Sequence, residues 1–97
     1  MFFVKESDIM KIDENFVIRQ IADEYIIVPV GEALLNFNGM ITVNELGKFI
    51  WEQLHEDLTK EQLLDRIVNE YEVDIQTASK DLEEFIHKLE LGGLIRQ

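Results

Sequence analysis

Two histidines are the side chains in this sequence that combine metal affinity with a change of charge near neutral pH. His55 and His87 are far apart in the chain, and each lies in a segment with helical periodicity. A metal site needs three or four ligands brought together. The acidic neighbours of His87, which are Glu83, Glu84 and Glu90, lie on the same predicted helix. Because such surface clusters seldom satisfy metal geometry, we interpret this one as a solvated acidic face and expect no metal.

The residues that could act as nucleophiles lack the partners that nucleophilic catalysis requires. Ser79-Lys80 falls within a predicted helix with no base in view, and no serine stands in a nucleophile-elbow sequence. The sequence has no cysteine, which excludes thiolate catalysis, disulfides and cysteine-ligated metals. Its five glycines are scattered or placed at turns, so no phosphate-binding loop is apparent. We therefore expect a protein that is not an enzyme and that carries no cofactor.

Length and charge narrow the function further. Ninety-seven residues, 46% of them apolar, suffice for one domain with one core. Twenty acidic residues against nine Lys and Arg give a formal net charge of −11, which repels nucleic-acid phosphates and anionic membrane surfaces. The longest apolar run, residues 25–30, is far too short to cross a membrane, and no secretory signal is visible. We expect a cytoplasmic protein without nucleic-acid or membrane partners.

The segments that must position any site divide near Asn44 into strands and helices. Residues rich in β-branched and alternating apolar side chains predict strands over 16–21, 25–30, 34–37 and 40–43. Asn38-Gly39 between the last two runs favours a tight hairpin, because a type I′ turn needs positive φ at both central positions. We therefore predict an N-terminal antiparallel sheet of three or four strands.

Three helices are predicted after the sheet. Asn44 is a good N-cap for the first, Thr59 begins a capping box for the second, and Asp74 caps the third. Gly92-Gly93 ends the third helix. Its apolar stripe comprises Ile75, Ala78, Leu82, Phe85 and Leu89. The predicted fold is α+β and winged helix-turn-helix-like, with residues 1–12 as an N-terminal extension and residues 13–97 as the domain.

A winged-helix outline admits functions of different classes. A transcriptional or antitoxin-type regulator would read DNA with the third helix, and such helices use Arg and Lys for phosphate and guanine contacts. Here Lys80 and Lys88 are outnumbered by acidic residues on that helix, which favours a protein or peptide partner. A small scaffold subunit that supports an enzyme without touching peptide is a further alternative.

A series of short motifs runs in order through most of the chain. They are Arg19-Gln20-Ile21-Ala22-Asp23-Glu24-Tyr25, Val28-Pro29-Val30-Gly31, Phe37-Asn38-Gly39-Met40-Ile41-Thr42-Val43-Asn44-Glu45-Leu46-Gly47, Ile50-Trp51 with Leu54, and Glu70-Tyr71 with Asp74, Asp81, Phe85 and Leu89. This series covers about residues 13–95 and resembles the PqqD family. The family more often has Gly at the place of Asp23 and Leu at the place of Val43. Since Asp tolerates a turn and Val remains an apolar strand residue, the expected fold is unchanged.

The resemblance implies a function as well as a fold. PqqD-like domains are small peptide chaperones, also called recognition elements of ribosomally synthesised and post-translationally modified peptides. They bind the leader of a precursor peptide and present its core to a modifying enzyme, often a radical S-adenosylmethionine (SAM) enzyme. The leader adds as a strand to the edge of the sheet and packs against the third helix, and the chaperone performs no chemistry itself. The precursor peptide and that enzyme are therefore the expected partners.

We place the implied peptide site between the last strand and the third helix. The sheet edge comprises Met40, Ile41, Thr42 and Val43, and the opposite wall comprises Leu82, Phe85, Ile86 and Leu89 with Lys88 at the rim. The regular stripe through Leu82, Phe85 and Leu89 is typical of core, whereas Ile86 and Lys88 lie off it. Because an exposed edge strand can also pair with a second copy, a homodimer is a further expectation.

Overall fold

The computed structural model describes residues 9–36 and 40–96 of the chain. Within these residues the elements are β1 (Lys11–Ile12), β2 (Phe16–Ile21), β3 (Glu24–Pro29), α1 (Ala33–Asn36), β4 (Ile41–Val43), α2 (Glu45–Gln53), α3 (Lys60–Glu70), α4 (Ile75–Leu91) and β5 (Ile95–Arg96). The predicted α+β order, with an antiparallel sheet before three main helices, is confirmed. No helix among the described residues is long and apolar enough to span a bilayer.

Three strands form the main sheet in the order β2-β3-β4, and both pairings are antiparallel. The β2–β3 register runs from Phe16 opposite Pro29 to Ile21 opposite Glu24. The central strand β3 buries Ile26 and Ile27, as expected for a nearly all-apolar run covered by neighbouring elements. Because β3 occupies the centre, β4 lies at an edge of this sheet.

The predicted strand over residues 34–37 is wrong where the structure describes it. Residues 33–36 form the short helix α1, and β3 pairs directly with β4. Gly31 has φ +59, after which Ala33 N–H donates to Val30 O and Leu34 N–H donates to Gly31 O. These bonds curl the chain into a helical turn that leaves Leu34 and Leu35 exposed. Phe37 and the predicted Asn38-Gly39 turn lie outside the described residues.

Each main helix begins at the cap that the sequence predicts. Asn44 Oδ1 accepts from the N–H of Gly47 at 2.8 Å, and Asp74 Oδ1 accepts from the N–H of Thr77 at 2.8 Å. Thr59 and Gln62 form a complete capping box at the start of α3. Because these bonds satisfy N–H groups that have no partner within the helix, they fix where each helix starts.

The C-terminus of α4 turns the chain back onto the domain. Leu94 N–H donates to Leu89 O at 2.9 Å and Gly93 N–H donates to Glu90 O at 3.1 Å, which is the Schellman pattern. The pattern needs a left-handed residue, and Gly93 supplies it with φ +75. Leu94 and Ile95 are consequently buried, and β5 pairs with β1. Through β1 and the buried Met10, residues that the sequence assigned to an N-terminal extension contact the domain.

The core lies between the sheet and the three main helices. The indole of Trp51 is completely buried at its centre, as expected for the single tryptophan. Other fully buried side chains come from each main helix and from β3: Ile27, Ile50, Leu63, Ile67, Ile86 and Leu89. On α4 the buried side chains are Ala78, Leu82, Ile86 and Leu89. The sequence-based stripe is wrong at Ile75, which is exposed, whereas Phe85 is half-buried and packs against the core.

The cap of α4 predicts a specific acid sensitivity. Backbone and side-chain hydrogen bonds from Thr77 hold the pKa of the Asp74 carboxyl below its usual value. The unfolded chain therefore binds this proton at a higher pH than the folded chain, so the cap's contribution is full above the ordinary Asp pKa of about 4 and is lost as the pH falls through the lowered folded-state value.

We expect Asp74→Asn to keep the cap without the titration, because Asn is also a preferred N-cap. Urea unfolding at about pH 6 and about pH 3 should show a smaller acid-induced loss of stability in Asp74→Asn than in the wild type. The ion pair of Glu56 with Arg66 is present in both proteins and serves as an internal reference. Equal losses in the two proteins would show that the titration of Asp74 does not contribute to the acid sensitivity.

Candidate functional site

An open strand edge faces α4. β4 pairs with β3 on one side, and no other strand among residues 9–36 and 40–96 pairs with it. Three contacts fix the direction of α4 relative to this edge. A β-carbon at Gly47 would lie 3.2 Å from Cε1 of Phe85, Lys88 Nζ lies 3.3 Å from Thr42 O, and a β-carbon at Gly92 would lie 3.8 Å from Cδ1 of Ile41. α4 therefore runs antiparallel to β4.

A cleft of about 260 Å³ opens between the start of α2 and the middle of α4. Its apolar lining comes from Leu46, Gly47, Ile50 and Phe85. Its polar lining comes from Asn44, Asp81, Glu84 and Lys88. The cleft thus joins an apolar interior to a rim that holds two carboxylates and one ammonium group, next to the last residues of β4.

The edge of β4, the facing side of α4 and the cleft together form a groove. The nine sequence-predicted site residues divide between this groove and the core. Phe85 and Lys88 line the cleft, and Thr42 is exposed on the edge strand. Met40 is exposed just before β4, Ile41 is half-buried, and Val43 is 8% exposed. Three predicted wall residues lie in the core with at most 2% of their surface exposed: Leu82, Ile86 and Leu89.

Of the adjacent residues Phe85 and Ile86, the structure buries Ile86 more deeply, although the predicted stripe runs through Phe85. Phe85 is half-buried in the cleft, whereas Ile86 is 1% exposed. At 3.6 residues per turn, neighbouring helical positions differ by about 100°. Phe85 and Ile86 therefore lie on opposite sides of the stripe that contains Leu82 and Leu89. α4 packs on α3 with one side and faces β4 and α2 with the other, and this placement decides which residue turns inward.

Several cleft residues were not predicted as functional. In the sequence, Leu46 and Ile50 stand out only as members of the motif series, and Asn44 is predicted as a helix cap. Glu84 stands out there only as an acidic neighbour of His87, and Asp81 only as a member of the motif series. The available signal was Gly47, a glycine inside a helix with no turn to make, since such a residue often marks a close packing contact.

Gly47 is the point at which three elements approach one another. A β-carbon there would lie 3.0 Å from Cβ of Val43, 3.2 Å from Cε1 of Phe85 and 3.4 Å from Oδ1 of Asn44. The Val43 atom is next to the main chain of β4 and has little freedom to move. The missing side chain therefore lets the Phe85 ring lie against α2 and form the cleft wall.

The chemistry available at this site is binding. Its side chains offer apolar contact and charge, and β4 offers main-chain hydrogen-bonding groups at its open edge. No group of three or more His, Cys, Asp or Glu side chains in the described part of the chain has the arrangement of a metal site. Lys88 is the cationic residue of the cleft lining.

Comparison with known proteins assigns the chain to a family. The family model for coenzyme PQQ synthesis protein D (PqqD) matches residues 24–95, and the chain therefore belongs to the PqqD family. A search among curated proteins finds no match.

Two solved structures share the fold. One is described as TbiB1 in complex with the TbiA(beta) leader peptide; it is 29% identical, with a TM-score of 0.69 over 88% of this chain and 93% of that chain. The other is lasso peptide synthetase B1 complexed with the leader peptide, also with a TM-score of 0.69, over 91% of this chain and 98% of that chain. At 15% identity, the second likeness concerns the fold alone.

The packing at Gly47 yields a test of the site's construction. Gly47→Ala adds helix propensity of about 1 kcal/mol in favour of folding, but the crowding against Val43 and Phe85 costs about 1–3 kcal/mol. We expect a net loss in the free energy of unfolding, measured by urea denaturation, together with shifted ring resonances of Phe85.

The same substitution in a Phe85→Leu background is the control. Leucine lacks the ring atom that approaches Gly47, so Gly47→Ala should cost less there than in the wild type. An equal cost in both backgrounds would contradict the assignment of Phe85 as the residue that requires glycine at position 47.

Proposed function

We propose that this protein binds the leader segment of a ribosomally synthesised precursor peptide and delivers the precursor to a modifying enzyme. The observation that carries the proposal is the open edge of β4 facing α4, with a cleft of mixed apolar and charged lining beside it. An added peptide strand would take up the free N–H and C=O groups of that edge, which is β-augmentation.

The short edge strand makes the cleft necessary for affinity. β4 comprises three residues, so an added strand gains few main-chain hydrogen bonds, each worth about 0.5–1.5 kcal/mol net. The remaining affinity would come from an apolar side chain of the leader packed on Leu46, Ile50 and Phe85. At about 260 Å³ the cleft is below the usual range of sites for drug-sized ligands, about 300–1,000 Å³, and suits a side chain.

Two further observations support leader binding. The chain belongs to the PqqD family, and both similar structures are described as complexes with leader peptides. The superposition on the structure with 29% identity covers most of both chains, so the likeness includes the sheet and the main helices. On α4 the acidic groups Asp81 and Glu84 line the cleft, which disfavours the alternative of a DNA-reading helix.

The enzyme that receives the precursor is a separate part of the proposal. The family resemblance favours a radical SAM enzyme. We assign binding to this chain and the chemical step to that enzyme. A second copy of the chain is the competing occupant of the β4 edge, which would give a homodimer.

An amide NMR titration tests leader binding directly. The ¹⁵N-labelled protein is mixed with synthetic leaders of precursors encoded beside its gene. We expect shifts at residues 41–43 and 44–50 and along the cleft side of α4, because both walls of the groove contact the added strand. Phe85→Ala should weaken binding by at least about tenfold, as for an aromatic residue at the centre of an interface.

Glu90→Gln is the matched control, since Glu90 is exposed on α4 and does not line the cleft. A dispersed amide spectrum of Phe85→Ala separates lost binding from lost folding. The absence of shifts for every leader at about millimolar concentration would contradict leader binding and favour the scaffold alternative. Shifts that depend on protein concentration alone, with a doubled mass by light scattering, would assign the edge to a second copy.

A further inference from the structure

Lys88 bridges the two walls of the groove in the free protein. Its Nζ donates to the main-chain carbonyl of Thr42 at 3.3 Å, joining α4 to the middle of the edge strand. The ion pairs among the described residues are Lys48–Glu52, Lys60–Glu83 and Arg66–Glu56, so Lys88 has no carboxylate partner there. Glu84, one turn earlier on α4, lines the same cleft, yet the ammonium group turns to the strand instead.

This bond lies where a peptide strand would lie. β3 occupies one side of β4, and Lys88 comes from the helix that faces the other side. A strand added between β4 and α4 would therefore separate the ammonium group from Thr42 O. The lysine stem is long and the side chain is exposed, so it can turn away without a change in the main chain.

A displaced ammonium group would remain beside the bound peptide. It has lost a carbonyl acceptor and part of its water, and a charged donor in such a place is stabilised by a new acceptor. The side chain of the peptide nearest to Lys88 can supply one. A carboxylate is the best acceptor, because it adds a charge interaction to the hydrogen bond.

We propose that Lys88 is a specificity-determining residue that selects leaders with an Asp or Glu at the strand position beside Thr42. The inference rests on the function proposed above and adds to it the chemistry of one leader residue. The peptide replaces Thr42 O as the acceptor for Lys88, so leaders without an acidic residue at this position bind more weakly.

The net charge of the protein makes this preference diagnostic. At −11, with Asp81 and Glu84 in the cleft lining, the overall field repels acidic peptides and attracts basic ones. A general electrostatic effect would therefore enrich Lys and Arg throughout a bound peptide. Enrichment of an acidic residue at one fixed position would be opposite to this general preference for basic residues, and it would identify a local cation.

A phage-displayed library of random twelve-residue peptides tests the proposal without a known leader. The library is selected against the wild type, Lys88→Met and Lys80→Met. Lys80 is exposed on the same helix and does not line the cleft, so its substitution changes the net charge equally without touching the groove. Methionine keeps the length and helix propensity of lysine.

We expect peptides selected on the wild type and on Lys80→Met to share one acidic position, and peptides selected on Lys88→Met to lack it. In binding measurements by fluorescence anisotropy, Glu→Gln or Asp→Asn at that position should weaken wild-type binding about two- to fivefold and leave Lys88→Met binding unchanged.

Two results would overturn the proposal, and they differ in what else they affect. In the first result, amide shifts place the selected peptides in the groove, but the peptides share no acidic position or share it equally on Lys88→Met. This result would remove the role of Lys88 and leave peptide binding intact. If no peptide is enriched on the wild type and no encoded leader binds, both the role of Lys88 and the proposed function are wrong.

Discussion

The close approach of β4, α2 and α4 at Gly47 is the constraint on which the candidate site depends. A glycine inside α2 weakens that helix, since Gly is about 1 kcal/mol less favourable than Ala there. In return, the Phe85 ring lies against the helix at a distance that a β-carbon would crowd. The half-buried ring then packs against the core and also forms a cleft wall, and α4 is held alongside the open edge of β4. Local stability is thus lower at the residue that makes the binding geometry possible.

The groove separates two kinds of recognition that a peptide chaperone needs. Main-chain groups of β4 can bind a strand of any sequence, and the apolar cleft and the charged residues of α4 can distinguish one strand from another. The rest of the molecule holds these two walls in place. Asp74 fixes the start of α4, and the left-handed Gly93 returns the chain so that Leu94 seals the core beneath its end. Within the described residues, α4 and the unpaired edge of β4 together form a surface suited to binding a strand.

Much of the fold could be predicted because its signals are local. The caps at Asn44, Thr59 and Asp74 act within three residues of themselves, so their side chains identify helix starts without knowledge of the tertiary structure. The Gly92-Gly93 stop is equally local. β2 falls on the predicted residues 16–21 because its run of β-branched and aromatic side chains has a local preference for strand. The family also follows from the ordered motifs, and the match over residues 24–95 confirms it.

By itself, then, the sequence determined the starts of the three main helices, the strands β2, β3 and β4, and the class of protein, since these depend on neighbouring residues and on motif order. Only the tertiary structure decided which side chains reach the groove. Phe85 and Ile86 are adjacent and both apolar, and the packing of α4 against α3 turns Ile86 into the core and Phe85 to the cleft. The run beginning at Leu34 curls into a helical turn because β4 already occupies the place beside β3. The bond from Lys88 to Thr42 joins residues far apart in the chain, and no local pattern encodes such a contact.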